Sequence, residues 1–133
     1  MGVMRFALIG GLAGVVLSMT TGWLITGYLC HRYQKATPLT WRSEGWPQHA
    51  LAMLWSGIGG TTLGALDGKV AWSHSSATSA LIFAALVWGA SGGPVIATIT
   101  TYVNMHRVVV AGLLLEWFLF AIGVSVACWQ WAA

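Results

Sequence analysis

From Phe6 to Cys30 the chain runs 25 residues without a formal charge. That stretch constrains the fold more than any other feature. About 20 predominantly apolar residues carry a helix across the hydrocarbon core of a bilayer. Within that core only a helix or a closed barrel satisfies its own backbone polar groups. A second run, Gln48 to Leu66, supplies 19 more residues and ends at Asp67-Gly68-Lys69, a turn signal. The next uncharged run, Val70 to His106, is 37 residues, too long for one helix. Its polar opening, "WSHSSATS", reads as loop and interface, which leaves a third span over Ala77 to Val103. Asn104 to Arg107 form a short turn, and Val108 to Trp131 make a fourth span with one charge, Glu116.

Composition supports the same reading. The chain is 57% hydrophobic and 7% charged, whereas soluble domains carry about 25% charged residues. Six Lys and Arg with three Asp and Glu, nine charges in all, do not cover the surface of a water-soluble globule. The expected fold class is therefore all-α: an integral membrane four-helix transmembrane bundle forming one domain over residues 1–133. "FALIGGLAGVVL" after Arg5 resembles a signal peptide, but no A-x-A-like site closes it and the apolar run continues to Cys30, so it reads as a retained span. A net charge of +3 without any basic run argues for interface anchors and against nucleic acid.

Arg32, Lys35, Arg42 and Arg107 fall in the first and third loops, against Arg5 and Lys69 on the other side. The positive-inside tendency then puts those loops in the cytoplasm and the termini outside, in a multi-pass protein of the cell inner membrane. Trp41 and Trp46 mark one interface, and Trp72, Trp129 and Trp131 the other. Cys30 and Cys128 fall on opposite sides, which argues against a disulfide between them.

Three spans carry small residues at every fourth position: Gly10, Gly14, Ser18, Gly22, Thr26; then Ala52, Ser56, Gly60, Gly64; then Ala85, Gly89, Gly93, Ala97, Thr101. Residues four apart share a helix face, and small residues there let backbones approach closely in lipid. These stripes are expected to pack the bundle. Gly93 and Pro94 predict a kink in the third helix, since proline removes an amide and frees the carbonyl of Ala90. The sharper alternative is a discontinuous helix whose exposed backbone coordinates an ion.

Glu116 is the candidate functional residue. A carboxyl inside a membrane helix is costly and marks a functional hypothesis. It lies roughly 12 Å in from Val108 at the usual helical rise, on the face of Gly112, Gly123 and Ala127. Ser56, Thr61, Thr98, Thr20 and Thr21 lie at comparable depth, with no basic residue level with it. Ser56 and Thr98 are the candidate partners. Such a carboxyl can carry a proton, bind a cationic substrate or hold a quinone. As a neutral acid it can instead donate a hydrogen bond that fixes two helices.

The soft ligands gather toward one membrane face: Cys30 and His31, His49 and Met53, Met105 and His106. Imidazole with thiolate or thioether suits copper or zinc, and a histidine there can ligate a tetrapyrrole pigment. The sequence requires no cofactor, however, because interface histidines and packing methionines are ordinary. No nucleophile elbow, P-loop, HExxH or paired carboxylates are present, which argues against an enzyme.

The stretch "AALVWGASGGPVIATITTYVNMHRVVVAGLLLEW" resembles the C-terminal half of a family of uncharacterised small four-span bacterial integral membrane proteins, a domain of unknown function. Trp88, Gly89, Pro94, Arg107 and Trp129 carry the likeness, over about a third of the chain. It implies the four-span topology and no functional residues. Three roles are compatible with these residues: an accessory subunit of a larger membrane complex, respiratory or photosynthetic in type; a small homo-oligomeric proton-coupled transporter or channel using Glu116; and a metal or pigment carrier using His31, His49 and His106. The expected partners are membrane lipid and other membrane subunits or copies of itself.

Overall fold

The computed structural model describes residues 2–34, 45–102 and 105–133, all helix and turn with no strand. Lys35, Trp41, Arg42, Glu44, Val103 and Asn104 lie outside the described residues. Helix α1, Gly2–Leu17, continues directly into a π-helical segment, Ser18–Leu29. A short α2, His31–Gln34, follows. Then come α3, Trp46–Asp67, α4, Ala77–Ala90, α5, Gly92–Tyr102, and α6, Arg107–Trp131. Three stretches are long and apolar enough to cross a membrane: Gly2–Leu29, Ala77–Ile99 and Arg107–Trp131. At 22 residues, α3 has the length, but its glycines and threonines make it less apolar than those three.

Local signals set the helix ends. Ser76 caps α4 by accepting from the Ser79 amide at 3.1 Å, and His106 caps α6 by accepting from the Val108 amide through Nδ1 at 3.2 Å. Each satisfies an amide that the first helical turn leaves without a partner. Pro47 falls in the first turn of α3, where no amide is needed.

Helix α6 is the centre. The α1–α3 pair lies on one side of it and α4–α5 on the other. The core joins Phe6, Leu63, Phe83, Ala84, Phe120, Ala121, Val124 and Cys128. A smaller cluster of Ile25, Cys30 and Val109 closes the opposite end.

Two of the three small-residue stripes meet each other. Helices α1 and α3 run antiparallel, with Gly10 and Gly14 facing Ser56, Gly60 and Gly64. A Cβ on Gly10 would lie 2.9 Å from the Gly64 Cα, and one on Gly60 would lie 3.0 Å from the Gly10 carbonyl carbon. The backbones therefore touch, which only glycine at these positions allows. Each helix also turns α-hydrogens toward facing carbonyls, a weak but recurrent stabilisation at such crossings.

The third stripe departs from expectation. Helix α4 buries Ala80, Phe83 and Ala84 toward α6, because the bulky aromatic fills the interface better than the small residues do. Ala85, Gly89 and Ala97 consequently face outward, and a Cβ on Gly89 would meet nothing within 4 Å. Gly93 is buried, beneath the Trp88 ring, and the side chain of Thr101 lies outside what is described.

The kink expected at Gly93 and Pro94 is instead an interruption one turn earlier. Regular helix stops at Ala90 and Ser91 adopts φ −133°, ψ −74°. The chain restarts at Gly92, which puts Pro94 in the first turn of α5. A missing amide is harmless there, whereas in a continuous helix it would remove the bond to Ala90. The Ser91 hydroxyl donates to the Val87 carbonyl at 2.6 Å, and the Val95 amide donates to the Ser91 carbonyl at 3.0 Å, so the break is locally satisfied.

Candidate functional site around Glu116

Glu116 lies in the third turn of α6 and is half-buried. Its face is the packing face that the sequence pattern indicates: Gly112 meets Cys30, Gly123 meets Leu17, and Ala127 is buried. Between those contacts the carboxylate crosses to the π segment. The Thr26 hydroxyl donates to Oε2. Oε1 lies over Gly22, where an added Cβ would come within 2.9 Å. The acid thus occupies the volume that a side chain at position 22 would take.

The π segment itself is unusual. Such turns are rare, mostly single, and frequent at functional sites, yet this one spans 12 residues. Its i→i+5 pattern is visible at the end, where the Cys30 amide donates to the Ile25 carbonyl at 2.9 Å. The start is rich in hydroxyls that compete for backbone carbonyls: Thr20 donates to Val16 and Thr21 to Leu17, both at 2.8 Å. Back-bonding of this kind loosens the regular i→i+4 ladder, and here it coincides with the change from α to π winding.

Beside the carboxylate is a cavity of about 20 Å³, lined by Leu17, Ser18, Thr21, Ser56, Glu116, Trp117 and Phe120. Three hydroxyls and one carboxylate supply its polar wall. Trp117 and Phe120, edge to face at 5.4 Å, supply the apolar one. Among the described residues no Lys, Arg or His lines it. The candidate partners separate clearly. Ser56 reaches this cavity, but Thr98 is exposed on α5 and donates to the Pro94 carbonyl of its own helix at 2.8 Å. The cause is the layering, because α4–α5 lies across α6 from the π segment. Thr61 is likewise exposed, against Gly11.

The soft-ligand candidates lie toward the far end of the bundle without converging. Cys30 is buried against α6, with its thiol 3.7 Å from the Val108 carbonyl. His106 caps α6 and stacks on Tyr33 at 4.7 Å. His31 is half-buried, His49 is exposed at the start of α3, and Met53 borders an apolar groove between α1 and α3. Among the described residues no three of His, Cys, Asp and Glu come close enough to hold a metal ion. Cys128 donates to the Phe6 carbonyl at 3.6 Å, at the end opposite Cys30, and both thiols are free.

Asp67 is the residue that sequence reasoning missed. It reads as part of an exposed turn, but it is fully buried. The Ser73 hydroxyl, also fully buried, is bonded to its Oδ1 and lies 2.7 Å from the Val70 carbonyl. Its Oδ2 is buried without a hydrogen-bond partner. The "DGK" turn folds back beneath Phe6, whose ring lies 4.8 Å from His74. The available signal was the run of small and hydroxyl residues after Val70, which lets the turn tuck inward. Compared with known families, curated proteins and solved structures, the chain matches none.

Proposed function

We propose that the chain is a small integral membrane protein with α3 as its fourth span, acting as an accessory subunit within a larger membrane assembly. Twenty-five large apolar side chains among the described residues are exposed, Leu12 at 71% and Leu8 at 63% among them. Each would gain about 1.5–3 kcal/mol on leaving water. Together they outweigh the 5–15 kcal/mol net stability of an ordinary domain, so a bilayer is the fitting solvent. For the fourth span, the support is the antiparallel register with α1 and the length, about 33 Å at the usual rise, against a core of about 30 Å.

The outward stripe of α4 carries the assembly reading. Small residues pack helices in lipid; Gly10 and Gly14 of α1 and Ser56, Gly60 and Gly64 of α3 are used within the chain, whereas Ala85, Gly89 and Ala97 face outward. An external helix fits there. The test is purification from the native membrane in mild detergent, with wild type and Gly89→Leu compared. Because the surroundings of Gly89 are open, the variant should fold normally and lose a stoichiometric larger partner. A wild-type chain that purifies as a monomer alone would refute the reading. The Glu116 site favours a second reading, a homo-oligomeric proton-coupled transporter. It would be supported by an isolated oligomer whose Glu116→Gln variant loses proton-coupled flux.

A further inference from the structure

The surroundings of Glu116 restrict what its carboxyl can hold. The cavity at Glu116 has about 20 Å³. One water-sized body needs roughly 10–15 Å³ of such space. A quinone ring or an organic ammonium substrate is therefore too large for it, and a single water or small ion is not.

The donor set is equally selective. Glu116 offers a carboxylate, and Ser18, Thr21 and Ser56 line the same space with hydroxyls, on the α1–π junction and α3 respectively. These are all hard oxygen donors, suited to hard cations and unsuited to copper or zinc. Charge restricts it further. The groups facing the carboxylate are Leu17 from α1, Ser18, Thr21, Gly22 and Thr26 from the π segment, Ser56 from α3, and Trp117 and Phe120 on α6 itself. The titratable neighbour among the described residues is Cys30, whose thiol lies against Gly112, one turn before Glu116; it is a thiol and supplies no positive charge. One carboxylate balances one positive charge, so a divalent ion would leave an excess in a medium where uncompensated charge is costly.

We propose that Glu116, Ser18, Thr21 and Ser56 form an intramembrane site for one monovalent cation, either sodium or a proton carried with a water molecule. Thr26 fixes Oε2, and the absence of a side chain at Gly22 gives Oε1 its room. The site belongs to a single chain, so it stands whether that chain acts alone or in an assembly.

The test uses the full-length protein in detergent micelles and dicyclohexylcarbodiimide, which modifies protonated carboxyls in apolar surroundings. Adducts are located by intact and peptide mass spectrometry. Glu116 should be modified at acidic pH and spared at alkaline pH, and Glu116→Gln should take up no label at that peptide. If sodium chloride slows modification and potassium chloride does not, the resident cation is sodium. If neither salt matters while pH does, it is the proton. Ser56→Ala, which keeps the carboxyl, should shift the half-protecting sodium concentration or the pH midpoint by roughly three- to tenfold in cation concentration, the scale of one hydrogen bond. Circular dichroism of both variants checks that the helices remain. No label on wild-type Glu116 at any pH would overturn the proposal. So would labelling that neither pH nor sodium alters, or a Ser56→Ala midpoint equal to wild type.

Discussion

Replacing Gly60 by alanine tests whether the α1–α3 contact is as close as described. The new Cβ would lie 3.0 Å from the Gly10 carbonyl carbon and 3.1 Å from the Gly14 Cα, with the Gly10 oxygen nearer still. All three neighbours are backbone, so no side chain can rotate away. The helices must separate by about 0.5–1 Å, which forfeits a quarter to a half of the dispersion energy along the crossing. Overpacking of this kind costs about 1–3 kcal/mol, and the weak α-hydrogen bonds add about 0.5–1 kcal/mol each. We expect a destabilisation of about 3 kcal/mol for Gly60→Ala. Gly89→Ala is the control, because its Cβ meets nothing within 4 Å. It should be neutral or gain up to about 1 kcal/mol from helix propensity. Gly11→Ala is intermediate, since its obstacle is the Thr61 hydroxyl. Reversible unfolding in mixed micelles with increasing dodecyl sulfate, followed by tryptophan fluorescence, ranks the three. Equal stability of Gly60→Ala and Gly89→Ala would refute the close backbone contact.

Other substitutions probe the remaining contacts. Thr26→Val removes the hydroxyl donor to Glu116 and should cost about 1 kcal/mol, the scale of interhelical hydrogen bonds in membranes; the same unfolding assay reads it. Ser73→Ala strips a buried hydroxyl from Asp67, and should cost about 1–3 kcal/mol, with Asp67→Asn much milder because the amide can still accept from Ser73. Gly112→Ala pushes a Cβ into the Cys30 thiol. Cys30→Ala should rescue it, with a coupling of about 0.5–3 kcal/mol in a double-mutant cycle; strictly additive effects would contradict the contact.

The sequence made the helices legible because apolar length and charge placement are properties of the chain itself. The segments around Phe6–Cys30, Gln48–Leu66 and Val108–Trp131 recur as helices within a few residues of those bounds. Position along a helix also placed Glu116 on the packing face beside Gly112 and Gly123. Which stripes meet is a pairwise matter that no single span contains. Gly10 and Gly14 found Gly60 and Gly64, while Gly89 was left outside because Phe83 took the interface. Depth alone grouped Thr98 with Ser56, but the layering about α6 separates them. The π winding from Ser18 has no residue signature beyond its hydroxyls, and the burial of Asp67 depends on a turn folding beneath a distant Phe6.

Whether α3 crosses the bilayer is tested most directly by asking where the two ends of the chain lie. In a background with Cys30→Ser and Cys128→Ser, single cysteines are placed at Arg5, Lys69, Arg107 and Gln130. Intact cells or sealed vesicles are then treated with a membrane-impermeant maleimide. Four spans require Arg5→Cys, Lys69→Cys and Gln130→Cys to label from one side and Arg107→Cys from the other. If α3 lies along the surface instead, Lys69→Cys and Gln130→Cys will label from the side opposite Arg5→Cys, and the four-span bundle is wrong.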